Sequence, residues 1–228
     1  MVEVNIYDNT VVRRERMFNT SREQLVNRLV KDSYIKSDIV KKAFLTIPRE
    51  NFVPEYLKLQ AYVDRPLEIG KGQTISAPHM VAIMCEALDI QKGQKILEIG
   101  AGSGYHAAIV SQLLGEKGHI YTIERFEDLA KTAEQNLKNT DITNVTVVVG
   151  DGSEGLKKYE PYDRIYVTCA APSIPNPLVD QLKDHGKLLI PVGSMYCELQ
   201  LIEKKEKETQ SKDLGGCVFV PLVGKYGH

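Results

Sequence analysis

Leu97-Glu98-Ile99-Gly100-Ala101-Gly102-Ser103-Gly104-Tyr105 is the stretch that decides the fold. An apolar run carrying one carboxylate enters three glycines at alternate positions, and the helical spacing of Ala107, Ala108, Val110 and Leu113 follows at once. Glycines between a strand and a helix let the backbone adopt positive φ and let a ligand approach with no Cβ in the way. Tight packing of helix on strand would account for one such glycine but poorly for three. The turn alone is compatible with any adenosine-bearing cofactor. Gly102-x-Gly104-x-x-Ala107 also reads as a dinucleotide fingerprint, with Glu124 about twenty residues further on at a strand end, where a carboxylate binds ribose hydroxyls in either case.

Outward from this turn the pattern alternates. Apolar periodicity predicts helix 79–88, strand 95–99, helix 105–114, strand 119–123, helix 127–139, strand 145–149, strand 164–168, a short helix 176–182 and strand 186–191. Alternation of this kind implies an α/β fold, a mostly parallel sheet with helices on both faces. The end departs from it. Segments 198–203 and 217–221 read as strands with no helix between them, joined by an exposed charged loop over 203–213. They predict an antiparallel hairpin closing one edge of the sheet. On the amino-terminal side, Ser21 and Gln24 form a capping pattern ahead of a helix 21–34, and a second helix fits 37–43. Between Pro48 and Pro78 four prolines and two glycines predict a long, largely irregular segment with one short strand at 67–69, the kind of segment that carries function.

Composition bounds the rest. The 228 residues, 26% charged and 43% hydrophobic, fit one globular domain. Residues 1–78 are expected to form a helical and irregular layer and residues 79–228 the sheet. A formal net charge of -1 gives no basic field for polyanions, so neither nucleic acid nor a membrane is an expected partner, and a monomer is expected. Cys85, Cys169, Cys197 and Cys217 lie far apart without a Cys-x-x-Cys pair, so no metal site is expected. The polar first twenty residues do not read as a signal peptide, and reduced thiols in a cytoplasmic chain are expected.

Several motifs name a family. Ile47-Pro48-Arg49-Glu50-Asn51-Phe52-Val53-Pro54, Pro66 through Pro78, Glu98 through Ala108, Ile123-Glu124-Arg125, Gly150-Asp151-Gly152, Pro161-Tyr162-Asp163, Thr168-Cys169-Ala170-Ala171-Pro172, Ile190-Pro191-Val192-Gly193 and Phe219-Val220-Pro221-Leu222 occur in this order. The chain closely resembles the protein L-isoaspartate (D-aspartate) O-methyltransferases over roughly residues 20–224. The resemblance implies a Rossmann-like class I methyltransferase with a seven-stranded sheet whose last pair is antiparallel, and S-adenosylmethionine as cofactor. It implies methyl transfer to the α-carboxylate of L-isoaspartyl residues in damaged proteins and, more weakly, to D-aspartyl residues, starting repair through a succinimide. It further places Gln73, Thr74, Ile75, Ser76, Glu98, Gly100, Gly102, Glu124, Asp151 and Gly152 about the cofactor, Ser76 at the active site, and Ser76, Ala170, Ala171, Pro172 and Val223 toward the substrate. It also implies that the layer 1–78 reads the substrate and that the sheet of 79–228 binds the cofactor.

The implied chemistry makes a modest demand. A carboxylate is already ionised at pH 7 and attacks a sulfonium methyl without a general base, so no catalytic histidine is needed. What the site has to supply is in-line alignment, and Ser76 is assigned to holding the acceptor carboxylate. Thr74 and Ser76 could instead satisfy loop backbone groups. His79 and His106 read as capping or packing residues, and Cys169 as a small buried hydrophobe. Two departures from the family pattern stand out: the first twenty residues have no match, and Asp184-His185-Gly186 occupies a turn where Gly-Gly is frequent. The alternatives are a class I methyltransferase of another carboxylate or small molecule, and a catalytically silent adenosine-binding module. The second would show a spoiled glycine turn or a missing acidic tip, and both are intact.

Overall fold

A computed structural model describes residues 6–194, 196–206 and 208–228, with residues 6–10 described by backbone alone. The central sheet has seven strands in the order β5-β4-β3-β6-β7-β8-β9. These are β3 (Lys95–Ile99), β4 (His119–Glu124), β5 (Val145–Val149), β6 (Tyr162–Val167), β7 (Leu182–Gly193), β8 (Cys197–Lys205) and β9 (Glu208–Cys217). Strands β3 to β7 pair in parallel, and β8 and β9 complete one edge antiparallel. The chain lays down β3, steps outward through β4 and β5, then returns to place β6 against the other side of β3. The connections therefore diverge above the carboxyl ends of β3 and β6, and such a switch point opens a crevice for a ligand.

Alternation along β3 sorts its side chains. Ile96 joins the core beneath α1 (Ile6–Lys31), α2 (Asp38–Thr46), α3 (Pro78–Leu88) and α4 (Tyr105–Leu114), whereas Leu97 and Ile99 join a second cluster with Leu178 of α6 (Asn176–Asp180). Glu98 shares the face of Ile96. It lies in register between Thr122 of β4 and Tyr166 of β6, and it is fully buried. α5 (Glu127–Asn139) covers β4 and β5 through its apolar face of Leu129, Ala130, Ala133 and Leu137.

Three local expectations are corrected. The first helix does not begin at Ser21. α1 is already helical at Ile6, because no glycine or proline interrupts 6–31 and a capping pattern inside good helix formers need not cap anything. Arg22, which lies between Ser21 and Gln24, reaches across to Tyr62, the Leu45 carbonyl and Glu50.

The segment 48–78 is not largely irregular. It holds 3-10 turns at Arg49–Phe52 and Glu55–Gln60 and a two-stranded hairpin, β1 (Leu67–Gly70) with β2 (Gln73–Ile75). Lys71 and Gly72 take φ of 55° and 69°, the positive pair that a two-residue hairpin turn requires.

The charged stretch 203–213 is ladder rather than loop. Glu203, Lys204 and Lys205 end β8, Glu206 turns with φ 55°, and β9 pairs back from Glu208. β9 is exposed from Glu208 to Asp213, so the outer end of the ribbon carries charge and shows no apolar alternation. Residues 217–221 are accordingly no strand: β9 ends at Cys217, and Pro221 makes a single bridge to Ala170. The unusual turn at 184–186 also has a physical reading. His185 takes φ 58°, the region glycine enters freely, and Asp184 offsets this by accepting hydrogen bonds from the backbone of His185 and Glu206.

Candidate active site

The crevice at the switch point is a cleft of about 770 Å³, counting its open mouth. Its floor is the glycine turn. Gly100 takes φ 96°, and a Cβ there would come within 2.3 Å of Thr168 Oγ1, which donates to the Gly100 carbonyl at 2.7 Å. Gly152 is equally tight: a Cβ would meet Ile99 Cγ2 at 2.4 Å. Gly102, at φ 53°, leaves its backbone N–H to Glu124.

Glu124 closes β4 and is the built anionic group of the cleft. Its Oε2 accepts from Gly102 N at 3.0 Å and its Oε1 from Phe126 N at 3.0 Å, and it is buried. Two backbone donors thus fix the carboxylate while each oxygen keeps a free lone pair, which suits a pair of neighbouring hydroxyls.

The β1–β2 hairpin forms another wall. Ile69 Cδ1 lies 3.2 Å from where a Gly102 Cβ would stand, and Lys71 pairs with Asp128 of α5 at 2.8 Å. The strand β2 then brings Gln73, Thr74, Ile75 and the following Ser76 into the lining. Ser76 is half-buried, and among the described residues its hydroxyl has no hydrogen-bond partner within the protein. Its carbonyl is held from behind: Arg49 Nη2 donates to Ser76 O at 2.8 Å, while Arg49 Nε donates to Ala61 O at 2.9 Å.

Of the residues proposed from sequence, Gln73, Thr74, Ile75, Ser76, Gly100, Gly102, Glu124, Gly152 and Val223 line this one cleft. Five do not reach it. Glu98 lies under the glycine turn; Thr122 Oγ1 donates to its Oε2, and burial pushes its carboxyl up to about 8. Asp151 is turned to the carboxyl-terminal segment, where Oδ1 accepts from Ser153 N and Oγ and Oδ2 from Lys225 N. Burial opposes its charge, but those donors hold its carboxyl below the usual range. Ala170 and Ala171 are buried behind the wall. Ala170 exchanges hydrogen bonds with Val220 and Leu222, and Ala171 bonds to the backbone of Pro191 and Gly193. Pro172 beyond them is exposed.

Residues missed from sequence are Val81, Tyr105, His106, Arg125 and Thr168, all in the lining. All but Val81 stand inside motifs that carry the family resemblance, and that membership is the signal that could have found them. His106 is no proton carrier, since burial pushes its pKa down to about 3 and leaves it neutral.

These features match a known family along nearly the whole chain. The family model described as protein-L-isoaspartate(D-aspartate) O-methyltransferase covers residues 20–227. The chain belongs to this family. A protein-L-isoaspartate O-methyltransferase of Hyperthermus butylicus is 50% identical over 225 residues, covering 94% of this chain and 93% of the relative. Its counterpart from Methanococcus aeolicus is 52% identical over 205 residues, covering 90% and 95%. A solved protein-L-isoaspartate O-methyltransferase superposes with a TM-score of 0.84 at 34% identity, covering 90% of this chain and 67% of that one. A Plasmodium falciparum protein assigned to the same family, solved with S-adenosyl-L-homocysteine, gives a TM-score of 0.78 at 26% identity, covering 89% and 98%. The chain is thus a methyltransferase dependent on S-adenosylmethionine, with the seven-stranded sheet and antiparallel edge expected of it. No helix among the described residues is long and apolar enough to cross a membrane.

Proposed function

We propose that this enzyme methylates the α-carboxylate of L-isoaspartyl residues in damaged proteins and, less efficiently, the side-chain carboxylate of D-aspartyl residues. The ester then closes to a succinimide, whose hydrolysis returns part of the material to normal aspartate. The observation that carries this reading is the uncommitted Ser76 hydroxyl sharing one cleft with Glu124 in a chain of this family.

The residues present fit S-adenosylmethionine, which when bound supplies an electrophilic sulfonium methyl. Gly100 and Gly152 line the cleft where their packing on Thr168 and Ile99 admits no side chain, so the backbone itself forms the floor, and Glu124 offers two fixed oxygens to the ribose hydroxyls. Gln73, Thr74 and Ile75 lie along the cofactor wall, with Gly102 on the floor. Asp151 acts through what it holds, fixing Ser153 next to Gly152 and Lys225 just beyond Val223, so it would steady two residues of the cofactor cleft. Glu98 supports the turn from below.

Ser76 donates its hydroxyl to one oxygen of the acceptor carboxylate and leaves the other free to attack. No base is required, because the acceptor is ionised at neutral pH, and His106 in the lining is a poor one, its pKa pushed down to about 3 by burial. Val223 flanks the acceptor, while Ala170 acts from behind the wall by holding Val220 and Leu222, and residues before Pro78 form the layer that reads it. The whole chain works as one unit in this reading.

Two tests follow. A peptide containing L-isoaspartate is expected to take labelled methyl from S-adenosylmethionine, its D-aspartyl form to take less, and its L-aspartyl form none. Equal labelling of the isoaspartyl and aspartyl peptides would defeat the specificity. Separately, Glu124→Ala is expected to weaken S-adenosyl-L-homocysteine binding about 150-fold by calorimetry, the equivalent of roughly 3 kcal/mol for two lost charge-assisted hydrogen bonds at the low end of their range. Unaltered affinity would remove Glu124 from the ribose.

A further inference from the structure

Cys197 and Cys217, twenty positions apart in sequence, stand directly opposite each other at the inner end of the β8–β9 ladder. Both are free thiols and buried. Opposite residues of an antiparallel pair point to the same face, with Cα atoms about 4.5 or 5.5 Å apart depending on the hydrogen-bonding site. A disulfide accepts Cα separations of about 4.4–6.8 Å, so either spacing admits one without moving the strands. The remaining cysteines have no such relation. Cys85 of α3 contacts His106 Nε2 at 3.6 Å, and Cys169 lies in the loop after β6.

We infer that Cys197 and Cys217 form a redox modification site, closed into an intramolecular disulfide by small-molecule disulfides. The thiolate of one cysteine attacks the oxidant, breaking its S–S bond, joining one half and expelling the other as a thiol. The second cysteine, as thiolate, attacks the protein-bound sulfur, forms the Cys197–Cys217 bond and expels the second small thiol. Two protein thiols lose two electrons and two protons, and the small disulfide gains both.

The surroundings set where and how fast this occurs. Burial raises both thiols, Cys217 to about 11, so thiolate is scarce at pH 7 and exchange waits for the ladder end to open. That end is built to open before the rest of the sheet. Gly215 and Gly216 precede Cys217, the register shifts between Glu198 and Gln200, and Tyr196 and Val218 are exposed.

The position ties the modification to the cleft. Beyond Cys217 the chain reaches Val220 to Val223, all in the lining, where Ala170 N donates to Val220 O at 2.8 Å and Leu222 N to Ala170 O at 2.7 Å. Just before Cys197, Gly193 N donates to Ala171 O at 2.8 Å. A Cys197–Cys217 bond therefore staples together the two segments that grip the 169–171 loop.

The test incubates the full chain with oxidised glutathione, then maps thiols by alkylation and peptide mass spectrometry. The expected product has lost two hydrogens, retains no glutathione, joins the peptides of Cys197 and Cys217, and leaves Cys85 and Cys169 open to alkylation after denaturation. Closing a loop of about twenty residues raises Tm by roughly 5–10 °C in a chain of this size, dithiothreitol reverses the rise, and Cys217→Ser abolishes it. Amide exchange over 218–223 slows in the oxidised form. Persistent separate glutathione adducts, a cross-link to Cys85 or Cys169, both thiols still free after equilibration in sub-denaturing urea, or a cross-link that lowers Tm would each overturn the inference.

Discussion

Arg49→Met is expected to lower stability by about 3 kcal/mol, a fall of roughly 6–12 °C in Tm for a chain of this length. Arg49 is completely buried on the 3-10 turn Arg49–Phe52, and methionine fills a similar volume, so a cavity contributes little. What is lost is directional. Two carbonyls, Ala61 O and Ser76 O, lose donors at 2.9 and 2.8 Å, and a buried unpaired acceptor costs about 1–3 kcal/mol. The guanidinium also lies 4.8 Å from the Tyr105 ring centre, a cation–π contact that methionine replaces only in part. Two costs already present soften the effect: burial opposes the charge of Arg49, and its Nη1 is buried without a partner.

The same substitution reaches chemistry. The Ser76 carbonyl is anchored to Arg49, so its hydroxyl loses its fixed place over the cleft. Assayed well below both melting points, kcat is expected to fall at least tenfold while cofactor affinity stays within about threefold, since misplacement by about 1 Å is worth a large factor in rate. Arg49→Lys, with one donor group to share between two carbonyls, is expected to lie between. Unchanged Tm with unchanged kcat would show that neither carbonyl depends on Arg49.

The turn from Leu97 to Tyr105 was legible because its constraints are local. Glycine marks positive φ at Gly100, Gly102 and Gly104, and strict apolar runs mark strands buried on both faces. The mostly parallel sheet and the antiparallel hairpin at its edge follow from alternation and its breakdown, whereas alternation does not fix the strand order. Arg49 illustrates what was not legible: its motif identified the family, but nothing local says that a charged side chain will be buried whole to hold carbonyls twelve and twenty-seven residues away. Asp151 failed in the other direction. A carboxylate beside glycine at a strand end suggests contact with the cofactor, yet Oδ1 is taken by Ser153 and Oδ2 by the backbone of Lys225, 74 positions later. The β9 strand was hidden because its pairing is with backbone, and charged side chains on a ribbon facing water give no period to read.

Glu98→Gln is expected to stabilise the protein, by a margin that grows with pH. Glu98 sits in the middle of the sheet, fully buried, with Thr122 donating to Oε2 and with Oε1 unpartnered; the neighbouring Tyr166 hydroxyl is likewise buried without a partner. Burial raises the carboxyl from 4.5 to about 8, with the charge of Glu124 adding to the rise and the Thr122 and Tyr166 hydroxyls opposing it. Below pH 4.5 native and unfolded chains both hold the proton, and the group costs nothing by titration. Between 4.5 and about 8 the native chain retains a proton that the unfolded chain has released, so stability falls as pH rises. Above about 8 both are ionised and the loss is complete. The slope is at most about 1.4 kcal/mol per pH unit, or roughly 3 °C in Tm for a chain of this size. Glutamine keeps the shape and accepts from Thr122, yet has no charge to bury. The difference in Tm between variant and parent, which cancels every other titrating group, is therefore expected to widen from pH 5 to pH 8 and then level off. A difference independent of pH would show that Glu98 ionises freely in the native sheet, and a variant less stable than the parent at pH 8 would show that its charge is a stabilising one.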